Sequence, residues 1–378
     1  MNVLFLTDNA GRASTTVATR GWFEQLIPKG LRPVLASPVQ GEFHEWAIDH
    51  DVPSYRVELP FPDKRKPWAF ASALWKLRRL VKKHRIQLIH CNEQNIYPIG
   101  RYLSRICRVP VVVSIHFTLS RGFCEWAFRG PRRPDRVFFT SFGNREACRP
   151  GVEGIVEESR WRLQPNGLDL EHFTLDPEKG AEFRRTHGLG DGLLIGLGCA
   201  FRSRKQLEHL LQAALELPPD VRVVLAGGPV ADEREYAEAL LREFQNRLGE
   251  RFAYVGFLTE LRGFYNALDL FINPSQEEAC SISVLESLAC GCPIVGYPSK
   301  SVDCQILPDG GEIVAQDDVG QLTSAIRRWV QDRHFPASRR TAARRQAQRF
   351  DIRTLSSQLW DEYQELLGIV AAQDSSSI

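Results

Sequence analysis

Short apolar runs alternate with helical patterns along the whole chain. Runs of four to seven residues occur at NVLFLT, PVLAS, LIHC and PVVVSIH, and again after residue 190 at LLIGLG, VRVVLAG, LFINPS and PIVGYP. Strands buried on both faces of a parallel sheet need such continuous apolar runs, whereas a half-exposed strand would alternate. Because the alternation runs through both halves, it predicts an α/β chain of two Rossmann-like, doubly wound domains, with an irregular stretch around residues 120–190. The expected boundaries are 1–165 and 166–354. In open sheets of this kind ligands sit beyond the carboxyl ends of the strands, so a shared substrate is expected in a central cleft between the domains. Near the C-terminus LSSQLWDEYQELLGIV has helical periodicity, and the final residues, 371–378, read as a frayed tail.

Composition supports two cores. At 378 residues, with 43% hydrophobic and 25% charged residues, the chain has the balance of a well-packed protein too long for one ordinary domain. MNVLFLTDNAG lacks a basic leader and reads as a first buried strand, not as a signal peptide, and no apolar run approaches the roughly 20 residues that span a bilayer. A cytoplasmic setting is therefore expected, in which the nine cysteines stay reduced. Their spacing matches no metal framework, and Cys290 and Cys292 read as small packing residues at a helix end.

Charge is divided unevenly. Residues 1–165 hold 26 Lys and Arg against 15 Asp and Glu, or +11, and the remainder is −9. In AFASALWKLRRLVKKHR, Phe70, Ala73, Leu74, Leu77 and Val81 form a helical stripe opposite Lys76, Arg79 and Lys83. Arg129, Arg132, Arg133 and Arg136 add to the same half, as does KRKPW at 64–68. These charges fit either an ordinary solvated face or a peripheral contact with an anionic membrane, where Trp68 would sit at the headgroup boundary. No nucleic-acid-binding motif accompanies them.

Two strand ends in the second half carry candidate chemistry. After LLIGLG come Arg202 and Lys205, in the loop that opens a helix near Gln206. Such a pair is either solvated or faces an anion, since free amides and the helix dipole favour a diphosphate there. After LFINPS, Glu278 falls in the loop, Ser281 or Ser283 is placed to cap a helix, and Glu286 lies within that helix beside the stripe of Ile282, Leu285, Leu288 and Ala289. Two such carboxylates are either surface acids or ligands for hydroxyl groups, one able to hold a ribose diol and the other a sugar.

The order of these pieces resembles the retaining GT-B glycosyltransferases of family 4, across essentially the whole chain. The matching elements are Gly11, PVVVSIH ending in His116, QPNGLDLEHF, Arg202 with Lys205, VVLAGGP, FYNALDLFINPS, and Glu278 and Glu286 followed by ACGCPIVG. The resemblance implies a sugar transfer from a nucleoside-diphosphate sugar, the donor, to a glycan, lipid-linked or small-molecule acceptor in cell-surface polysaccharide or glycolipid synthesis. It implies that Arg202 and Lys205 bind the diphosphate and that Glu286 holds the ribose. Glu278 and the amides of Ala279, Cys280, Ser281 and Ile282 would meet the donor sugar, Gly256 and Leu258 the base, and Gly11 the donor's phosphate side. His116 would approach the transferred sugar, and the C-terminal helix, about 355–370, would cross back onto the first domain. Catalysis would fall to Glu278, His116, Arg202 and Lys205, with neither a metal nor a cofactor.

Two departures stand out. Ala10 replaces a second glycine in DNAGRAS, and SKSVDC follows PIVGYP where the family commonly has a glycine pair. Two other readings are a nucleotide-sugar epimerase of similar architecture and a non-catalytic nucleotide-sugar-binding partner subunit. Dinucleotide oxidoreduction is disfavoured, because NVLFLTDNAGRAS lacks the Gly-x-Gly-x-x-Gly pattern.

Overall fold

The apolar runs become two fully parallel sheets. The computed structural model describes residues 1–11, 14–63, 65–129, 133–300, 302, 305–306, 308–331 and 337–369. Lys64, Arg132, Cys304 and the 371–378 tail lie outside the described residues. The first sheet comprises β1 (Asn2–Leu6), β2 (Arg32–Ser37), β3 (Ser54–Arg56), β4 (Leu88–Cys91), β5 (Val111–Ile115), β6 (Arg136–Phe139) and β7 (Trp161–Leu163), in the order β3-β2-β1-β4-β5-β6-β7. The second comprises β8 (Leu194–Phe201), β9 (Arg222–Pro229), β10 (Phe252–Gly256), β11 (Leu270–Asn273), β12 (Ile294–Gly296) and β13 (Gly311–Ile313), in the order β10-β9-β8-β11-β12-β13. In each, the chain winds outward from the central strand in one direction and then restarts on its other side. That reversal, between β1 and β4 and between β8 and β11, is where a doubly wound sheet opens a ligand crevice.

The stretch expected to be irregular is ordered. It holds β6, β7 and the helices Arg121–Ala127, Phe142–Val152 and Pro177–Thr186. Its strands are short and its helices carry Pro150 and several Arg residues, so neither period is long enough to stand out. β3 and β13, of three residues each, were missed for the same reason.

Two compact units divide the chain, Met1–Gly167 with the helix Ile352–Leu366, and Leu168–Asp351. In the first, the side chains of β1 alternate between two cores. Leu4 and Leu6 face the helices Pro67–Lys83 and Tyr97–Cys107, while Val3 and Phe5 face Trp22, Phe23, Trp46, Leu359 and Tyr363. The C-terminal helix is thus core, and polar contacts fix its register. His90, buried in β4, meets Tyr363 Oη through Nδ1 at 2.5 Å and Ser114 Oγ through Nε2 at 2.8 Å. Glu362 accepts from Arg136 at 2.7 Å and from Arg162, and Glu365 from Arg136 at 2.6 Å. Arg136 is therefore an internal partner and not part of an open basic face.

In the second unit, close backbone approach selects glycine at the end of β9. Gly227 has φ +106°, and a Cβ there would fall 1.9 Å from the Cys199 carbonyl oxygen. Arg344 donates to the carbonyls of Phe173, Ala289 and Leu170, and so holds the C-terminal end of the helix Ile282–Ala289.

Removing side-chain volume where the C-terminal helix meets the first sheet tests its place in that core. Leu359→Ala should lower the stability of this unit by about 2–5 kcal/mol, read as a drop in the urea midpoint at unchanged slope. A change under about 0.5 kcal/mol would mean that the helix is dispensable to the fold.

Candidate functional site

Both strands at the second sheet's reversal end in polar loops that bond to each other. β8 runs into Arg202, Ser203, Arg204 and Lys205, and Gln206, at φ +47°, starts the helix Leu207–Leu215. β11 runs into Pro274 and Ser275, then the loop that carries Glu278. Gln276 N donates to Arg204 O at 2.9 Å, and Arg204 Nη1 donates to Glu277 O at 3.1 Å. Across this seam Lys205 Nζ donates to Glu278 Oε1, and both side chains are nine-tenths buried. Two of the predicted charged residues are therefore one desolvated ion pair at the crevice.

Arg202 lies at the same strand end and faces β9. Its Nη1 donates to Asp232 Oδ2 at 2.7 Å and to Glu233 Oε1 at 3.3 Å, and Glu233 also accepts from Ser203 N at 2.6 Å. Asp232, then Glu233, raises the guanidinium's pKa; Arg202 in turn holds Asp232 below the usual carboxylate range, and the Ser203 amide, ahead of Arg202, does so for Glu233. They engage Nη1 alone, so among the described residues the Nε and Nη2 donors have no protein acceptor.

Glu286 is buried in the helix Ile282–Ala289 and accepts from Tyr265 Oη at 2.7 Å. Burial, then the carboxylate beside it, raises the Tyr265 phenol well above its ordinary pKa, so that it stays a donor. Four residues from the helix start, Glu286 sits about 6 Å along the axis from Ile282. Ser281 occupies the N-cap position without a side-chain cap bond, since its Oγ meets Ser283 Oγ at 3.1 Å. Ser281 thus takes the expected capping position without making a cap bond, and Ser283 lies inside the helix. Gln305, which nothing in the sequence marks, takes one amide expected at the donor sugar: Ser281 N donates to Gln305 Oε1 at 3.0 Å, and Gln305 Nε2 donates back to Ser281 O at 3.0 Å.

Gly256 ends β10 and Leu258 follows it, on the same carboxyl edge two strands from β8, a step on the order of 10 Å. Gly256 has φ +75°, a left-handed conformation that favours glycine. Ala279 and Cys280 lie between Glu278 and the helix, with Cys280 buried. Two hollows of about 710 and 530 Å³ lie at the opposite, amino ends of the strands, by Arg222 and Phe252 and by Arg184 and Asp269. In the second of these, Arg184 and Arg340 are already paired with Asp269.

The first unit holds Gly11 and His116. His116 follows β5 and is buried, with Nε2 at 2.8 Å from Asn92 O. A carbonyl only accepts, so Nε2 carries the hydrogen and Nδ1 is the remaining ring acceptor. Burial lowers its pKa to about 4, which leaves the imidazole neutral. Gly11 N donates to Asn9 Oδ1 at 2.8 Å, and an added Cβ would meet that oxygen at an ordinary 3.4 Å. Ala10 is fully buried in this loop, and its carbonyl accepts from Phe43 N at 2.9 Å. Glu93, unmarked by sequence reading, is buried just after β4.

Residues 15–167 match the family described as glycosyl transferase 4-like domain, and 193–332 the family described as glycosyl transferases group 1. Together they cover more than three quarters of the chain. The chain is a group 1 glycosyltransferase of GT-B fold. The glycosyltransferase is 23% identical over 319 residues to the lipopolysaccharide core biosynthesis mannosyltransferase LpcC of Rhizobium leguminosarum bv. viciae, covering 82% of this chain and 86% of that protein. It is 22% identical to the Escherichia coli UDP-Gal:alpha-D-GlcNAc-diphosphoundecaprenol alpha-1,3-galactosyltransferase, covering 69% and 70%. Its fold matches that of Anabaena HepE in complex with UDP, with TM-score 0.85, 20% identity and coverage of 97% and 100%. The lipopolysaccharide glycosyltransferase WaaG matches with TM-score 0.71, 15% identity and coverage of 95% and 99%.

The Lys205–Glu278 pair makes a stability prediction independent of activity. Lys205→Met should cost about 3–5 kcal/mol by leaving Glu278 without its cation, whereas Lys205→Met with Glu278→Leu should recover most of that loss in chemical denaturation. Strictly additive losses would show that the two side chains do not interact.

Proposed function

We propose that this glycosyltransferase moves a sugar, with retention of anomeric configuration, from a nucleoside-diphosphate sugar to a lipid-linked or glycan acceptor in envelope glycolipid or polysaccharide synthesis. The observation that carries the reading is the gathering of Arg202, Lys205 and Glu278 where β8 and β11 end, beside two helix N-termini. Lys205 has three N–H donors and spends one on Glu278; Arg202 spends Nη1 on its acids. The donors left over suit a diphosphate, whose charge grows on the leaving oxygen as the glycosidic bond breaks. Glu286, oriented by Tyr265, takes the ribose hydroxyls, and Glu278 with the start of the next helix takes the sugar. Gly256 and Leu258 lie about a nucleotide's length along the same edge and take the base.

The acceptor attacks from the face that the diphosphate leaves, with the first unit supplying acceptor contacts and His116 its neutral ring. Basic side chains and helix amides carry the diphosphate in this reading, without a metal. Relatives named for lipopolysaccharide core mannosyl transfer and for transfer onto a diphosphoundecaprenol-linked sugar support a lipid-linked acceptor. Structures of HepE with UDP and with UDP-glucose support a nucleotide-sugar donor.

A membrane-borne acceptor would bring the enzyme to the bilayer surface at the inner, cytoplasmic side. Among the described residues no helix is long and apolar enough to cross a membrane. The helix Pro67–Lys83 exposes Trp68 at 84% and Trp75 at 57%, with Lys76, Arg78, Arg79, Lys82 and Lys83 exposed on the same helix. Arg79 lies over the Trp75 ring at 4.7 Å. Exposed indoles beside ammonium and guanidinium groups are the pairing that an anionic headgroup layer accommodates.

A thermal-shift screen with UDP, GDP and ADP sugars should find one that stabilises the protein, by about 2.7 kcal/mol at one hundred times its dissociation constant. Arg202→Ala with Lys205→Ala should abolish that shift and cut transfer at least about 100-fold, and NMR of the product should show the donor's anomeric configuration. Wild-type-like transfer by the double variant would sink the assignment.

For the surface reading, the protein should float with vesicles of phosphatidylcholine and phosphatidylglycerol but not of phosphatidylcholine alone. Trp68→Ser with Trp75→Ser should weaken this at least about tenfold. Equal partition onto neutral vesicles would refute a headgroup-directed contact.

A further inference from the structure

Glu93 stands where β1 and β4 part, at the first sheet's reversal, and only 4% of it is exposed. Its Oε1 lies 2.9 Å from Thr7 Oγ1 and 3.3 Å from Asn92 Nδ2, and its Oε2 accepts from Asp8 N at 3.1 Å. The Thr15 hydroxyl, from the helix Ser14–Leu26, also reaches it. This single carboxyl ties together the end of β1, the end of β4 and the helix that follows the first loop.

Counting hydrogens favours the acid form of the carboxyl. Thr7 has one hydroxyl hydrogen but two oxygens within bonding distance, Glu93 Oε1 at 2.9 Å and Asn9 O at 3.0 Å. Asn9 N points at the same hydroxyl from 3.4 Å. Each of the three contacts has a hydrogen of its own when Thr7 donates to Asn9 O and accepts from Asn9 N and from a hydrogen on Glu93, the full capacity of a hydroxyl. Asn9 in turn shapes the loop, because its Oδ1 receives Gly11 N. An ionised Glu93 would take the Thr7 hydrogen and strip Asn9 O of its donor.

We propose that Glu93 is a positioning residue for sugar transfer: as the uncharged acid it donates to Thr7 Oγ1 and so fixes the 7–11 loop that carries Gly11. The inference rests on the functional reading above together with the family resemblance, which assigns Gly11 to the donor's phosphate side. The surroundings favour the acid form. Burial, then the Asp8 carboxylate, raise the Glu93 pKa to about 8, against the hydrogen bonds that lower it. The other titratable neighbours are Cys91 at the end of β4, a thiol whose pKa is pushed up, and His116, which bonds the Asn92 carbonyl and is neutral. The helix Ser14–Leu26 presents hydroxyls, with Thr19 Oγ1 on Asn92 Oδ1 at 3.1 Å. As pH rises through about 8 the acid ionises beside Asp8, the Thr7 relay is lost, and a second negative charge appears beside the 7–11 loop.

The test compares wild type, Glu93→Gln and Glu93→Ala in kcat/KM for the donor from neutral to alkaline pH. Wild type should decline above about pH 8. The amide of Glu93→Gln donates to Thr7 as the acid does but cannot ionise, so it should recover most of what Glu93→Ala loses at neutral pH and should lack the alkaline decline. Glu93→Ala should fall at least about tenfold, mainly through KM for the donor. Hydrogen exchange of the 7–11 segment, with wild type and Glu93→Gln at matched pH and no substrate, reads the loop itself. Relative to its base-catalysed intrinsic rate, exchange should lose protection above pH 8 in wild type alone. An alkaline limb that persists in Glu93→Gln, or exchange identical in the two proteins, overturns the proposal. Exchange that behaves as expected in a protein that transfers no sugar would instead leave the loop device standing and remove the functional reading.

Discussion

Burying a parallel sheet on both faces leaves its strand ends as the place where polar groups gather. The inner strands here are uniformly apolar: Leu194, Ile195, Leu197, Leu270, Phe271 and Ile272 are essentially inaccessible. Every carboxyl-end loop must therefore satisfy amides and side chains locally, and the reversal of winding holds two such loops apart. In the second unit that gap holds Lys205 and Glu278; in the first it holds Thr7, Asn92 and Glu93. The same constraint yields an ion pair in one sheet and an uncharged hydrogen-bonded cluster in the other. The difference follows from the partner: Glu278 meets a cation, and Glu93 meets Asp8.

The carboxylates beside Arg202 and Lys205 fix those cations within the protein itself. A buried Lys without a partner would lose its charge or its place, and Glu278 supplies the compensation. Asp232 and Glu233 hold Arg202 in the open while leaving its other nitrogens available. In the proposed role, a diphosphate would meet cations already oriented, and affinity would not be spent on ordering long side chains.

Residues with a local signature could be read from the sequence; residues defined by what folds against them could not. Continuous apolar runs marked the strands that flank both reversals, and the spacing of Glu278 and Glu286 placed one in a loop and the other in a helix, as observed. Arg202 and Lys205 announced a basic loop, but their acids, one strand away at Asp232 and Glu233, did not announce themselves. Asp232 and Glu233 follow VVLAGGP, and Glu93 follows LIHC, so a rule that inspects every strand end would have raised them. Gln305 had no such signal. Its role exists only because a distant turn brings its amide to Ser281. The clasp of Tyr363 on His90 joins residues 273 apart, a pairing that no periodicity encodes.

The turn after β12 shows how a departure from the family pattern can be compensated. Where related chains commonly carry a glycine pair, this one has Ser299 at φ +47° and Lys300 at φ +65°, left-handed conformations that cost roughly 1–3 kcal/mol each for residues with a Cβ. Ser299 offsets that cost with contacts no glycine could make: its Oγ donates to Ser275 O at 2.5 Å and receives Asn273 Nδ2 at 3.3 Å. Its carbonyl accepts from Glu278 N at 2.8 Å, and Lys300 pairs with Glu277 at 3.1 Å. Each bond ends on β11 or on the loop that carries Glu278. The strained turn is thus a brace for the carboxylate at the crevice, with backbone freedom exchanged for a fixed hydroxyl.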